Sequence, residues 1–144
     1  MNRFKIFIPF LLILILPMGC VHLPETGKSA FIMTSSSYEN QLGSEGYSEV
    51  LKESKISRDP RLNIILKRVG SSIAAQTGNR TFKWEYTMIE SKEQNAWCMP
   101  GGKIAVYTGI LPLMKNEAAM AAVIGHEVAH AILRHSGQRI TQQM

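Results

Sequence analysis

The sequence predicts an α+β domain in which helices pack on a small β-sheet or hairpin, with the chemistry-bearing helix last. Three observations carry this. Leu62, Ile65, Leu66, Val69 and Ile73 recur at helical spacing; Phe82, Trp84, Tyr86 and Met88 then alternate with Lys83, Glu85 and Thr87; and an apolar helical pattern runs from Glu117 to about Ser136. Helix, then strands, then helix is the order of an α+β fold rather than of alternating βαβ units. With 144 residues the chain can bury one core, but it is at the low end for a domain that also encloses a cleft. We therefore expect an N-terminal part of a longer domain, continuing beyond Met144.

The first element is an address rather than a fold. Arg3 and Lys5 precede an apolar run from Ile6 to Leu16, followed by Pro17-Met18-Gly19-Cys20, which predicts a signal peptide over residues 1–19. Eleven apolar residues span only about 16 Å as a helix against ~30 Å of bilayer hydrocarbon, so a permanent membrane span is not expected. Gly19-Cys20 resembles a bacterial lipoprotein signal, although Pro17 stands where an aliphatic residue is usual. That favours lipidation of Cys20, which would anchor the chain to a membrane; an ordinary cleaved leader and a buried cysteine are the alternatives. Val21 after the cysteine points to the outer membrane, and so to the periplasmic face of a bacterial envelope. Residues 20–37, with prolines and the Thr34-Ser35-Ser36-Ser37 run, read as a lipidated tether, and His22 as a solvated side chain within it.

Residues 38–144 should form the folded domain. Tyr38 to Ser54 reads as a helix weakened by Gly43 and Gly46. Asp59 caps the next helix, Pro60 suits its first turn, and Gly78 ends it. Phe82 to Met88 reads as a half-buried strand, and Lys103 to Thr108 as a second strand after the turn Pro100-Gly101-Gly102, so a hairpin is expected. Asn116 caps the final helix and Gly137 stops it.

Charge narrows the function. Arg3 and Lys5 lie in the leader, so 16 basic residues become 14 against 11 acidic ones, a balance of +3. Lys52, Lys67, Arg68, Arg80, Lys103 and Arg134 are scattered among acids, with no stripe that could follow a phosphate backbone, so nucleic acid is not an expected partner. Nothing in the sequence speaks to oligomeric state. With Cys20 lipidated, Cys98 is left without a partner and reads as a structural thiol, because no base lies beside it.

The final helix carries His126-Glu127-Val128-Ala129-His130, an H-E-x-x-H pattern. Four residues rotate an α-helix by about 400°, which leaves the imidazoles about 40° apart and ~6 Å along the axis, within reach of one ion. Zn²⁺ suits neutral imidazoles, and Glu127 stands beside them as a general base for hydrolysis rather than as a ligand. Gly125, a poor helix former, suggests close approach by a neighbour or by substrate. A catalytic zinc takes three protein ligands, and the third is missing here. A distal histidine after a glycine turn fails, because Leu133 and Ser136 stand at those positions. His135 is one place off and rotated by about 140° from His130, which favours a helix-end or packing role, with support of a ligand as the alternative.

Three segments in one order resemble peptidase family M48, the membrane-associated zinc metallopeptidases that include HtpX-like and Oma-like proteases. They are Asn95-Ala96-Trp97-Cys98-Met99-Pro100-Gly101-Gly102, Ile104-Ala105-Val106-Tyr107-Thr108-Gly109, and Gly125 to His130 with Arg134-His135-Ser136. The resemblance implies a zincin-like fold, of which this chain would be the N-terminal part. It also implies a third ligand from a glutamate on a later helix, for which this chain offers no counterpart, and an edge strand at Ile104, Ala105 and Val106 that pairs with extended substrate. The implied task is hydrolysis of misfolded or misassembled cell-envelope proteins. A non-catalytic envelope lipoprotein with a chaperone-like or zinc-binding role is the rival reading.

Overall fold

A computed structural model describes residues 20–23 and 27–144. The expectations for the leader lie outside these residues. The class is α+β, as the sequence implied: a three-stranded sheet stands between one helix on one face and two on the other.

The segment expected as a tether is largely structured. Its strands β1 (Cys20–Leu23) and β2 (Lys28–Phe31) form an antiparallel hairpin that pairs Cys20 with Phe31. Leu23 and the following Ile32 are buried. Apolar side chains spaced through an otherwise polar stretch give no readable period, so the hairpin leaves no signature in the sequence.

Helix α1 (Ser36–Glu53) begins at Ser35, whose hydroxyl accepts the Tyr38 amide at 3.2 Å. Gly43 is not a weak point. A Cβ on Gly43 would lie 2.1 Å from the Pro100 carbonyl oxygen, so the bare Cα is what lets the helix touch the sheet. Helix α2 (Pro60–Gln76) starts as expected, with Asp59 accepting the Arg61 amide at 2.9 Å. Leu66 and Val69 enter the core, with Leu62, Ile65 and Ile73 packed at its margin.

The sheet departs from the expected hairpin. Strands β3 (Glu85–Ile89), β4 (Ala96–Met99) and β5 (Lys103–Tyr107) are ordered β3-β5-β4. Thus β3 and β5 are parallel, and the antiparallel hairpin is β4–β5. Pro100 and Gly101 (φ 83°) form its turn, closed by the Gly102 amide donating to the Met99 carbonyl at 3.2 Å. Ile104 and Val106 of β5 and Met88 of β3 face α2 and the metal-motif helix, α3 (Glu117–Ile132). Trp97 and Met99 of β4 face α1, where Trp97 meets Tyr47 edge-on at 5.9 Å. Along the outer side of β3, Lys55 to Ser57 add backbone bonds to Met88 and Glu90.

The last expected helix is two. Helix α3 ends at Ile132, Arg134 adopts a left-handed conformation at φ 54° and ψ 37°, and α4 (His135–Gln143) follows. Gly137 is therefore no stop signal. It lies inside α4, where a Cβ would fall 2.1 Å from a Glu39 carboxylate oxygen.

Two glycines should respond oppositely to alanine. Gly43→Ala drives a methyl into the Pro100 carbonyl and should cost about 1–3 kcal/mol. At Gly125 a methyl meets nothing within 4 Å, so alanine should add about 1 kcal/mol through helix propensity. Urea denaturation midpoints measure both, and movement in the same direction would contradict this account of the packing.

Candidate active site

The geometry of the site follows from how α3 divides its faces. Asn116 opens the helix by accepting the Ala119 amide at 2.9 Å, and Met120, Ile124, Val128 and Ala131 form its buried stripe. His126 and His130 each lie two residues, about 200° of helical rotation, from Val128. Both imidazoles consequently stand on the solvent side. Glu127, about 100° from Val128, is half-buried on the flank.

On that exposed face the two rings converge. His126 Nε2 and His130 Nε2 are 3.0 Å apart, with the rings nearly perpendicular at 86°. A tetrahedral ion with bonds of ~2.05 Å needs its two nitrogen donors about 3.3 Å apart, so a shift of a few tenths of an ångström fits zinc to this pair. Among the described residues, no group of three or more His, Cys, Asp and Glu side chains is poised to hold an ion. Glu127 and His130 line one open cleft with His135, Ser136 and Arg139.

Close beside Glu127 lies Cys98 of β4. Burial, followed by the Glu127 charge, pushes its thiol up to about 12, and its Sγ contacts the Met99 carbonyl at 3.6 Å. The expectation of a structural thiol agrees with this setting. A neutral thiol also leaves the neighbouring carboxylate unopposed by a second anion. His135, expected at a helix end, begins α4 and reaches His130, with Nδ1 to Nδ1 at 2.6 Å. Burial and then the charges of His130 and Arg139 hold its imidazole below the ordinary value.

Behind the cleft is a buried ion pair that sequence reasoning missed. Arg134 donates through Nε to Glu39 Oε2 at 3.1 Å and through a terminal nitrogen to Glu39 Oε1 and the Thr34 carbonyl, both at 2.7 Å. Glu39 is 3% exposed, so loss of either partner strands a charge at a cost of about 3–5 kcal/mol. No local signal links residues 95 positions apart.

Other expected site residues fall elsewhere. Ile104, Ala105 and Val106 are fully buried in β5, whose two sides are taken by β3 and β4. A strand paired on both sides has no free backbone to offer a substrate, so the edge-strand reading of these three residues is corrected. The edge beside α3 is β4. Gly125 has no close neighbour among the described residues. Cys20 is exposed at the start of β1, and His22 is also exposed.

A helix presenting paired imidazoles and a flanking glutamate, under a sheet whose edge strand adjoins that helix, has the H-E-x-x-H arrangement found in metallopeptidases. The family model described as Peptidase family M48 matches residues 60–144, and the chain belongs to that family. It is 34% identical over 122 residues to the mitochondrial metalloendopeptidase OMA1 of Schizosaccharomyces pombe, covering 83% of this chain and 36% of that protein. Identity to the OMA1 of Arabidopsis thaliana is 37% over 93 residues, 65% of this chain and 19% of the relative. The beta-barrel assembly-enhancing protease of Escherichia coli K12 is 24% identical over 121 residues, 84% and 25% of the two chains. The chain thus spans between about a fifth and a little over a third of the length of these relatives.

These matches overturn the expected location at the periplasmic face of a bacterial outer membrane. The relatives at 34% and 37% identity are named as mitochondrial, and the bacterial one stands at 24%. A basic, apolar N-terminus followed by Gly-Cys carries too little information to fix a compartment.

Cys98 provides a chemical check on this geometry. At pH 8 its thiolate fraction should be at least a hundredfold below that of a free thiol. Alkylation followed by mass spectrometry should label Cys98 only after addition of urea. Ready labelling of Cys98 in the native protein would contradict the burial of its thiol beside Glu127.

Proposed function

We propose that the chain carries the catalytic helix of a zinc metalloendopeptidase that cleaves protein substrates held in extended form. The observation that carries this reading is the 3.0 Å convergence of His126 Nε2 and His130 Nε2 on the open side of α3, with Glu127 in the adjoining cleft. The names of the mitochondrial relatives, which call them metalloendopeptidases, support internal cleavage.

His126 and His130 hold the metal. When bound, zinc supplies Lewis acidity that acidifies water and polarises the scissile carbonyl. Glu127 removes the proton of the attacking water and delivers it to the leaving amine, shuttling a charge that its half-buried position keeps close to the reaction. Substrate docks along β4. The other edge of the sheet, at β3, is occupied by Lys55 to Ser57, whereas among the described residues no strand pairs with the outer side of β4. An extended peptide added there lies beside α3, and backbone hydrogen bonds to Ala96–Met99 set its register.

Glu127→Gln should reduce peptide hydrolysis by at least 10²-fold while zinc content, read by atomic absorption, is retained. Wild-type turnover in that variant sinks the assigned chemistry. Docking on β4 is tested with substrates N-methylated at single backbone amides. Methyl groups at amides that pair with the strand should lower kcat/KM about five- to tenfold each, and indifference at every position would exclude strand addition.

A further inference from the structure

The proposed mechanism leaves unexplained why α3 stops at Ile132 and why a non-glycine residue occupies the left-handed region two residues later. Continuing α3 as a helix would carry His135 about 140° around from His130, with the rings facing different directions. The break at Arg134 turns the chain back instead, so that His135 meets the ring of His130. The contact falls on His130 Nδ1, the nitrogen opposite the Nε2 that faces His126.

We propose that His135 is a positioning residue for His130, held in place by the Arg134–Glu39 ion pair; the inference rests on His126 and His130 being the metal ligands. For His130 Nε2 to offer a lone pair, the ring proton must reside on Nδ1. That N–H donates to His135 Nδ1, which fixes both the tautomer and the plane of the ligand ring. His135 is not itself a ligand of the same ion, because it engages the far side of His130. The left-handed backbone of Arg134 costs about 1 kcal/mol for a residue with a Cβ. The two-pronged contact of its guanidinium with Glu39, with a further bond to the Thr34 carbonyl, offsets that cost. Gly137 completes the arrangement, since any side chain there would displace the Glu39 carboxylate.

The test measures Zn²⁺ affinity of the full-length protein by competition with a chromophoric chelator, alongside the visible spectrum of the Co²⁺ form and thermal unfolding. His135→Phe keeps the ring volume and removes the acceptor. It should weaken zinc binding 10- to 100-fold and alter the Co²⁺ bands. His135→Asn, whose side-chain oxygen can accept where Nδ1 did, should recover affinity to within a few-fold of wild type. Arg134→Lys should also weaken binding, but should add nothing in the His135→Phe background if it acts through His135. Unchanged zinc affinity and Co²⁺ spectrum in folded His135→Phe overturn the proposal even if its melting temperature falls. If wild type takes up no zinc, or a His126→Ala/His130→Ala variant binds it as tightly, the metal-site reading itself fails, and this inference falls with it.

Discussion

The site depends on α3 keeping two faces apart. Its apolar stripe of Met120, Ile124, Val128 and Ala131 is held against the sheet by burial. At about 1.5–3 kcal/mol for each large side chain, that is the term that fixes the rotation of the helix about its own axis. Rotation is the variable that matters, because four-residue spacing brings two imidazoles together on any helix, but only this rotation leaves them open to an ion while Glu127 remains half-buried beside β4. Sliding the stripe by one residue would turn the rings by about 100° into the flank.

The sheet contributes through its strand order. Placing β5 in the centre buries Lys103 to Val106 completely and hands the edge beside the motif helix to β4. Lys103 shows how strict that burial is: its ammonium, on a residue 4% exposed, is satisfied by the Lys83 carbonyl at 2.9 Å and by the Glu85 carboxylate. A buried cation hydrogen-bonded to a carbonyl and paired with a carboxylate is tolerated. The same position exposed on an edge strand would need no such partners.

What the sequence made legible was local. The Asp59 and Asn116 caps and the apolar face of α2 are read within a turn or two of their own residues and are found in place, whereas the strand expected over Phe82 to Met88 begins only at Glu85 and runs to Ile89. Strand β4 escaped notice because Ala96 to Met99 are uniformly half-buried, wedged between α1 and α3, so no alternation marks them. The parallel pairing of β3 and β5 is a non-local choice that periodicity does not encode. Gly137 misled for the same reason: a glycine near a helix end usually marks a cap, whereas here it answers a carboxylate on a different helix.

The break after α3 shows how such non-local terms decide a site. A glycine at position 134 would adopt φ 54° with less strain, yet it would leave Glu39 buried and unpaired. An arginine accepts the strain because its guanidinium neutralises that carboxylate, so the backbone conformation and the ion pair require one another. The consequence is one of boundaries. The family match begins at residue 60, but Thr34 and Glu39 lie upstream of it and hold the residue that turns His135 toward His130. Met33 adds a further tie from the same segment, its amide donating to Thr141 of α4 at 2.9 Å. The structural unit that shapes the histidine pair therefore includes α1 and the residues just before it, and a domain drawn to the matched residues alone would omit one of its supports.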